Sequence, residues 1–300
     1  MRALISVQAQ SQDRQLPLTR RSFFKLGASV AITAIAVDAS LFEPNDPKLV
    51  ELTLPIKRLP AVWDGLRIAQ LSDFHYDDDF SVVPLRKAVE TLNRLQPDII
   101  LLTGDFVSTS FFVSGRKKAA GAIEPCAKLL TRLKAKIGLF ACLGNHDVST
   151  DANRIVNVLQ SHNIQVLRNY SMPLEREGKR LWLAGVDDVV EGSADIDITL
   201  QKVPTDEAVI LMAHEPDFAT QVAKHPVDLQ LSGHSHGGQV RIPFIGAPIL
   251  PELGVKFPKG LYQVGPLTLY TNVGIGTVTL PVRFDCPPEI TLITLKSSSS

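Results

Sequence analysis

Residues 66–75 read Leu66-Arg67-Ile68-Ala69-Gln70-Leu71-Ser72-Asp73-Phe74-His75, an apolar run that stops at an Asp-x-His triplet. A short apolar run bounded by polar residues fits a buried strand. The residues able to do chemistry come directly after it, and this arrangement recurs downstream. Asp98–Thr103 is followed by Gly104-Asp105, and Gly138–Leu143 by Gly144-Asn145-His146-Asp147. Val209–Ala213 is followed by His214, and Leu229–Ser232 by Gly233-His234-Ser235-His236. Between the early runs the apolar spacing turns helical. Leu85, Ala88, Val89, Leu92 and Leu95 share one helix face, with Pro97 as a stop; Ile123, Ala127, Leu130 and Leu133 mark a second helix, and Asn153–Gln160 a third. Residues 45–60 alternate in polarity like an edge strand, and Gln165–Leu167 opens a fourth buried one. From residue 180 the texture changes to short strands, including Leu181–Ala184, Thr268–Thr271 and Ile290–Leu295. Alternating strands and helices define a layered α/β domain. In open α/β sheets, ligands gather beyond the carboxyl ends of the strands. The motifs are therefore expected to converge on one rim.

The residue types on that rim select a chemistry. Asp73, Asp105 and Asn145 offer hard oxygen, and His75, His214, His234 and His236 offer imidazole nitrogen, without thiolate. That mixture suits Mn, Fe, Zn, Co or Ni better than a structural zinc site or a calcium loop. Alternate residues of an extended segment point the same way, so Asp73 and His75 can reach one ion. The same logic sends His234 and His236 to one ion. A turn helped by Gly233 and Gly237-Gly238 would instead divide them between two. Taken singly, Asp-x-His and Gly-Asp are ordinary turn sequences and a lone His214 is ordinarily structural. The specific signal is their ordered set at strand ends.

Composition excludes other classes. The chain has 300 residues, 45% of them hydrophobic, and Lys+Arg equals Asp+Glu at 31 each, so the net charge is zero. No whole-chain electrostatic case for nucleic acid exists, and none is expected as a partner. Cys126, Cys142 and Cys286 are too few and too scattered for a disulfide framework or a thiolate zinc site, and read as small core residues. His162 and His225 lie outside the motifs and read as surface or loop residues.

The N-terminus reads as an address. Thr19-Arg20-Arg21-Ser22-Phe23-Phe24-Lys25 precedes an uncharged apolar run, Leu26–Val37, and the small-residue site Val37-Asp38-Ala39. The paired arginines resemble a twin-arginine signal. The apolar run is about a dozen residues, short against the roughly 20 that span a bilayer. Residues 1–40 are thus expected to be a signal or membrane anchor, residues 41–296 one domain, and Ser297–Ser300 a frayed tail. Export by the twin-arginine machinery would place the protein in the periplasm or on the outer face of the cytoplasmic membrane.

The ordered motifs resemble those of the calcineurin-like metallophosphoesterases: Asp-x-His, Gly-Asp, Gly-Asn-His-Asp, His, then Gly-His-x-His. Gly237-Gly238-Gln239, Gly274-Ile275-Gly276-Thr277 and Arg283 with Pro287-Pro288-Glu289-Ile290 look like the YaeI/YkuE-like subgroup of bacterial phosphodiesterases. The resemblance implies a four-layer α/β/β/α sandwich and two divalent metal ions. It assigns Asp73, His75 and His236 to one ion, Asn145, His214 and His234 to the other, and Asp105 to both. It gives His146 a role at the leaving-group oxygen, oriented by Asp147. It implies attack on phosphorus by a hydroxide bridging the metals. Part of the subgroup is similar to enzymes that cut UDP-2,3-diacylglucosamine in lipid A synthesis. The expected partner is a phosphoester substrate. Phe111-Phe112, Arg116-Lys117-Lys118, Ile242–Ile245, Ile249-Leu250 and Phe257 are sequence features compatible with a lipid-linked substrate and membrane-surface association. The alternatives are a phosphomonoesterase on the same centre and a non-catalytic metal-binding envelope protein.

Overall fold

The computed structural model describes residues 20–109 and 113–298. It divides into two units, residues 1–37 and 38–300. The described part of the first is one helix, α1 (Arg20–Val37). With the residues that continue it, the apolar segment Arg20–Asn45 is long and apolar enough to cross a membrane, a test that signal sequences also pass. The helical segment is thus longer than the dozen apolar residues suggested, because Arg20–Lys25 are helical as well.

The second unit holds two six-stranded sheets. The first runs β1 (Lys48–Ile56), β12 (Glu289–Ser297), β2 (Arg67–Leu71), β3 (Ile99–Thr103), β4 (Gly138–Cys142), β5 (Ile164–Val166) in spatial order. The second runs β10 (Gly260–Val264), β11 (Leu267–Thr271), β9 (Leu229–Ser232), β8 (Ala208–Met212), β7 (Lys179–Gly185), β6 (Tyr170–Arg176). Strands β2 to β5 are parallel, as are β7, β8, β9 and β11. Parallel strands are covered on both faces, which is why β3 and β8 read as unbroken apolar runs.

Three cores give the layering. Helices α2 (Val82–Leu95), α3 (Val113–Leu130) and α4 (Asn145–Ser161) cover the outer face of the first sheet through Leu85, Leu92, Ile123, Ile155 and Leu159. Between the sheets, Ile68, Leu101 and Phe140 meet Leu183, Ile210 and Leu231. The short helices α5 (Ile196–Leu200) and α6 (Ala219–Val222) close the far side with Ile196, Leu200 and Val222. The fold is the expected α/β/β/α sandwich. Each buried Leu or Ile contributes roughly 1.5–3 kcal/mol to its stability. The three cysteines are free and buried, Cys126 and Cys142 in these layers and Cys286 with its Sγ donating to His236 O.

Some local expectations change. Helix α4 begins at Asn145 rather than Asn153, so Asn145, His146 and Asp147 form its first turn. It is interrupted at Asp151, where φ is −174° and ψ 84°; the Asp151 carboxylate accepts from Arg154 N, and the expected helix corresponds to the part beyond this break. Ser297 is not the start of a frayed tail. It pairs with Ile56 in the β1–β12 ladder, donates its amide to Asp64 and its hydroxyl to Leu59 O. Phe111 and Phe112 lie outside the described residues.

The sheets are joined directly beneath the rim. Gln70, fully buried on β2, donates to Thr103 Oγ1 on β3 and to the Ser232 carbonyl at the end of β9, at 3.0 and 2.9 Å. This link fixes the carboxyl end of one parallel set against the other. Both sets then deliver their loops to one place.

Candidate metal centre

The loops at this rim are bonded to each other. Asp73 N and His75 N donate to the carbonyls of Gly104 and Asp105, carrying the β2–β3 contact past the strands. Gly233 N donates to His214 O, while Ile275 N and Gly276 N donate to Ser72 O and Asp73 O. The price of this closeness is backbone strain. Asp73, His75, Asp105, His234 and His236 have φ of 52°, 40°, 56°, 68° and 50°. Left-handed backbone is uncommon for such residues, and its concentration at one spot marks a functional site. It also corrects one expectation: Asp73 and His75 do not sit on an extended segment, and turns rather than alternation bring them together.

Glycine is required where loops touch. A side chain at Gly144 would place its Cβ 2.3 Å from Asp105 Oδ1, and one at Gly233 would meet Ser72 Oγ at 1.9 Å and Asp73 Oδ2 at 2.2 Å. Neither position can carry a Cβ without displacing Asp105 or Asp73.

The side chains expected from the sequence come together. His75 Nε2 lies 3.0 Å from His236 Nε2, and His236 Nε2 lies 3.3 Å from Asp73 Oδ1. Asp105 Oδ2 is 3.5 Å from His75 Nε2 and 3.2 Å from His214 Nε2. His214 Nε2 is also 3.9 Å from Asp73 Oδ1. His234 Nδ1 is 3.2 Å from Asn145 Oδ1. Asp73, His75 and His236, and separately Asp73, Asp105 and His214, form buried groups whose ligand atoms lie within 4.8 Å of each other. His234 and His236 thus diverge, through the strained turn, onto different neighbours.

Hydrogen bonds away from the cluster aim the imidazoles. His214 Nδ1 and His234 Nε2 each face a carbonyl, of Thr103 and Glu252, at 2.6 Å. A carbonyl can only accept, so both nitrogens carry hydrogen, and the opposite nitrogens hold the lone pair when the rings are neutral. Those lone pairs face Asp105 Oδ2 and Asn145 Oδ1, which are acceptors as well. His214 Nε2 is buried against Asp105 Oδ2 at 3.2 Å, so without a cation there it must keep a second proton. Acceptors facing acceptors in a buried site are stabilised by a cation between them. The donor set therefore fits metal ions.

Electrostatics agrees. Burial pushes the Asp73 carboxyl up to about 6, against the pull of His214. Burial drives His75 down to about 3 and His234 to about 4, leaving neutral imidazoles suited to ligation. His214 is also penalised by burial, but the charges of Asp105 and Asp73 outweigh this and hold its proton well above the ordinary range. Burial opposes the Asp105 charge too, yet His214 and His146 keep it well below the usual carboxylate range. In the metal-free cluster, then, a proton on His214 is the balancing positive charge. A divalent ion would replace it.

His146 and Asp147 stand differently. The Asp147 carboxylate is directed away from the His146 ring: it accepts from Phe106 N and Gly144 N at 2.9 and 3.0 Å and from Val107 N at 3.3 Å. Asp147 therefore pins the loop after Asp105 rather than orienting His146. That task falls to Thr109, whose N–H donates to His146 Nδ1 at 3.0 Å and whose hydroxyl lies 2.6 Å from the same nitrogen. His146 also belongs to a group with His75 and Asp105, its ring 4.8 Å from that of His75. Thr109 and Ser108, which lies 3.0 Å from His75 Nδ1, were not legible as site residues. Nothing but their place after Gly104-Asp105 points to them.

A two-sheet sandwich carrying a buried cluster of carboxylates and imidazoles at its strand ends is the build of a metal-dependent phosphoesterase. Residues 66–238 match the calcineurin-like phosphoesterases, and the chain belongs to that family. It is 34% identical to the uncharacterized metallophosphoesterase YkuE of Bacillus subtilis over 94% of this chain and 99% of that protein. It is 31% identical to the phosphodiesterase YaeI of Escherichia coli over 93% of this chain and 99% of that protein. It is 26% identical to the UDP-2,3-diacylglucosamine pyrophosphatase LpxG of Chlamydia muridarum, over 90% of this chain and 98% of that protein.

Proposed function

We propose that the protein hydrolyses phosphodiester or pyrophosphate bonds at a dinuclear centre, on a lipid-linked substrate. The observation that carries the reading is the position of Asp105 Oδ2, within 3.5 Å of His75 on one hand and 3.2 Å of His214 on the other. It is the atom common to two sets of donors. Asp73, His75 and His236 would hold one ion, Asn145, His214 and His234 the other, with Asp105 shared. Manganese, iron, zinc, cobalt or nickel suits this oxygen and nitrogen set. When bound, such ions lower the pKa of coordinated water and neutralise charge on phosphoryl oxygens.

The chain's own residues supply the rest. Because the Thr109 N–H can only donate, His146 Nδ1 is an acceptor and the neutral ring carries its proton on Nε2. His146 is thereby set to donate a hydrogen bond from Nε2 to the leaving oxygen and stabilise its developing charge, help worth about 100- to 1,000-fold. Asp147 holds the first turn of α4 and the loop after Asp105 in register, which keeps His146 and the shared carboxylate together. Among relatives, the names of YaeI and LpxG support diester and pyrophosphate chemistry, the latter on a diacylated sugar nucleotide. The Arg20-Arg21 pair at the start of the apolar segment supports export through the twin-arginine route, with the domain outside the cytoplasmic membrane.

The test compares bis-p-nitrophenyl phosphate with p-nitrophenyl phosphate in manganese, then a panel of UDP-diacylglucosamine, phospholipids and soluble nucleotides. Preference for the diester and for acylated members supports the reading. Preference for the monoester establishes a phosphomonoesterase instead, and inactivity on every member leaves a metal-binding envelope protein.

A further inference from the structure

The loop that follows the last histidine of the cluster carries ten residues without a charge, Ile242-Pro243-Phe244-Ile245-Gly246-Ala247-Pro248-Ile249-Leu250-Pro251. It does not bury its apolar side chains. Ile245 and Ile249 are 73% and 80% exposed, and Phe244 is as exposed as in an open chain. A tight turn, with Ile242 N bonded to Gly246 O and Gly246 N to Ile242 O, holds Phe244 at its tip. Phe244 has a φ of 68°. Left-handed backbone is a genuine outlier for a bulky residue, and here the strain presents an aromatic ring to the outside.

This tip is tied to the place where the domain receives the apolar segment. Ala39 follows Val37, the last residue of α1, by two positions. Its carbonyl accepts from Arg283 N. The next residue, Phe284, donates its N–H to Gln239 O and accepts from Arg241 N, at the root of the turn. The Gln239 side chain donates to the carbonyls of Val278 and Leu280, and Leu280 is 63% exposed. A hydrogen-bonded strip therefore runs from the attachment point of a membrane-crossing length of chain to an uncharged, outward-facing apolar tip. Large exposed apolar patches mark interaction surfaces.

We propose that this tip inserts into the lipid bilayer to which the N-terminal segment is attached, seating the rim of the metal cluster at the headgroup level. The occupant is lipid, because the tip is uncharged and continuous with the anchor's attachment point. The seating is carried by the loop geometry and does not depend on hydrolysis, so it can fail while the proposed activity stands.

The experiment uses the full chain reconstituted in phosphatidylcholine–phosphatidylglycerol vesicles, with and without brominated acyl chains. Phe244→Trp is compared with Ile137→Trp, since Ile137 is exposed at the opposite ends of the strands, just ahead of β4. Trp63 and Trp182 are buried and give a constant background. The Phe244→Trp emission shifts to the blue and loses most of its added intensity to brominated lipid, while Ile137→Trp is unaffected. Equal quenching of the two, or none, overturns the proposal. So does a blue shift that grows with protein concentration in detergent without lipid, which would make the occupant a second copy of the chain.

Discussion

Thr109 grips His146 at one nitrogen: its backbone N–H and its hydroxyl lie 3.0 and 2.6 Å from Nδ1. The contact decides which nitrogen carries the proton. His146→Ala should therefore keep its metal content and lose about 100- to 1,000-fold in kcat. Thr109→Val, which retains the N–H but not the hydroxyl, should lose less. Metal analysis beside steady-state kinetics checks both; loss of metal in His146→Ala would make it a ligand instead.

Gly233→Ala should fold poorly or bind metal weakly, because the new Cβ meets Ser72 Oγ and Asp73 Oδ2 inside 2.5 Å. Gly65→Ala is a useful comparison: its φ of 79° is left-handed, which that of Gly233 is not, but nothing lies within 4 Å of the added Cβ. Both carry a backbone or steric penalty, and only Gly233→Ala should lower metal affinity. Titration with manganese followed by calorimetry measures the difference, and equal affinities would refute the contact argument.

Asp147→Asn replaces one of two accepting oxygens with a donor opposite a buried backbone N–H. Leaving such a donor unpaired costs about 1–3 kcal/mol. Denaturant unfolding of the metal-loaded protein should show this loss. An unchanged midpoint would mean that Phe106, Val107 and Gly144 do not rely on the carboxylate.

The metal-free protein should be most stable near neutrality. Burial first, then the Asp105 charge, raises Asp147 from 3.8 to about 8, so its contribution is full below 3.8 and is lost as pH rises through about 8. His214 is raised as well, by Asp105 and Asp73 against burial, and its contribution fades above its ordinary 6.5 in the same direction. His75, lowered by burial to about 3, works oppositely: its contribution is present above 6.5 and is lost as pH falls. Melting in chelator should decline on the alkaline side, and manganese should lessen that decline by replacing the His214 proton. A decline of equal size with and without manganese would contradict this.

The parts of the molecule legible in the sequence are those in which one residue pattern has one structural outcome. The runs before Asp73, Asp105, Asn145, His214 and His234 are buried in parallel strands, so they are mainly apolar and their ends are sharp. Their order alone placed the cluster on one rim. What stayed hidden depends on backbone angles and distant contacts. Left-handed φ at Asp73 and His75 has no glycine to announce it. The Thr109–His146 contact joins residues 37 apart. Asp147 lies beside His146 in sequence, yet its carboxylate turns to Phe106 and Gly144, because the first turn of α4 points consecutive side chains in different directions.

The central claim is that two cations share Asp105. Crystals of the manganese-loaded protein, measured at the manganese absorption edge, should show two anomalous peaks about 3.5–4 Å apart, one on either side of the Asp105 carboxylate. The Asp105→Ala protein should lose at least one of them. A single peak in the parent protein, or two undiminished peaks after Asp105→Ala, would contradict the account.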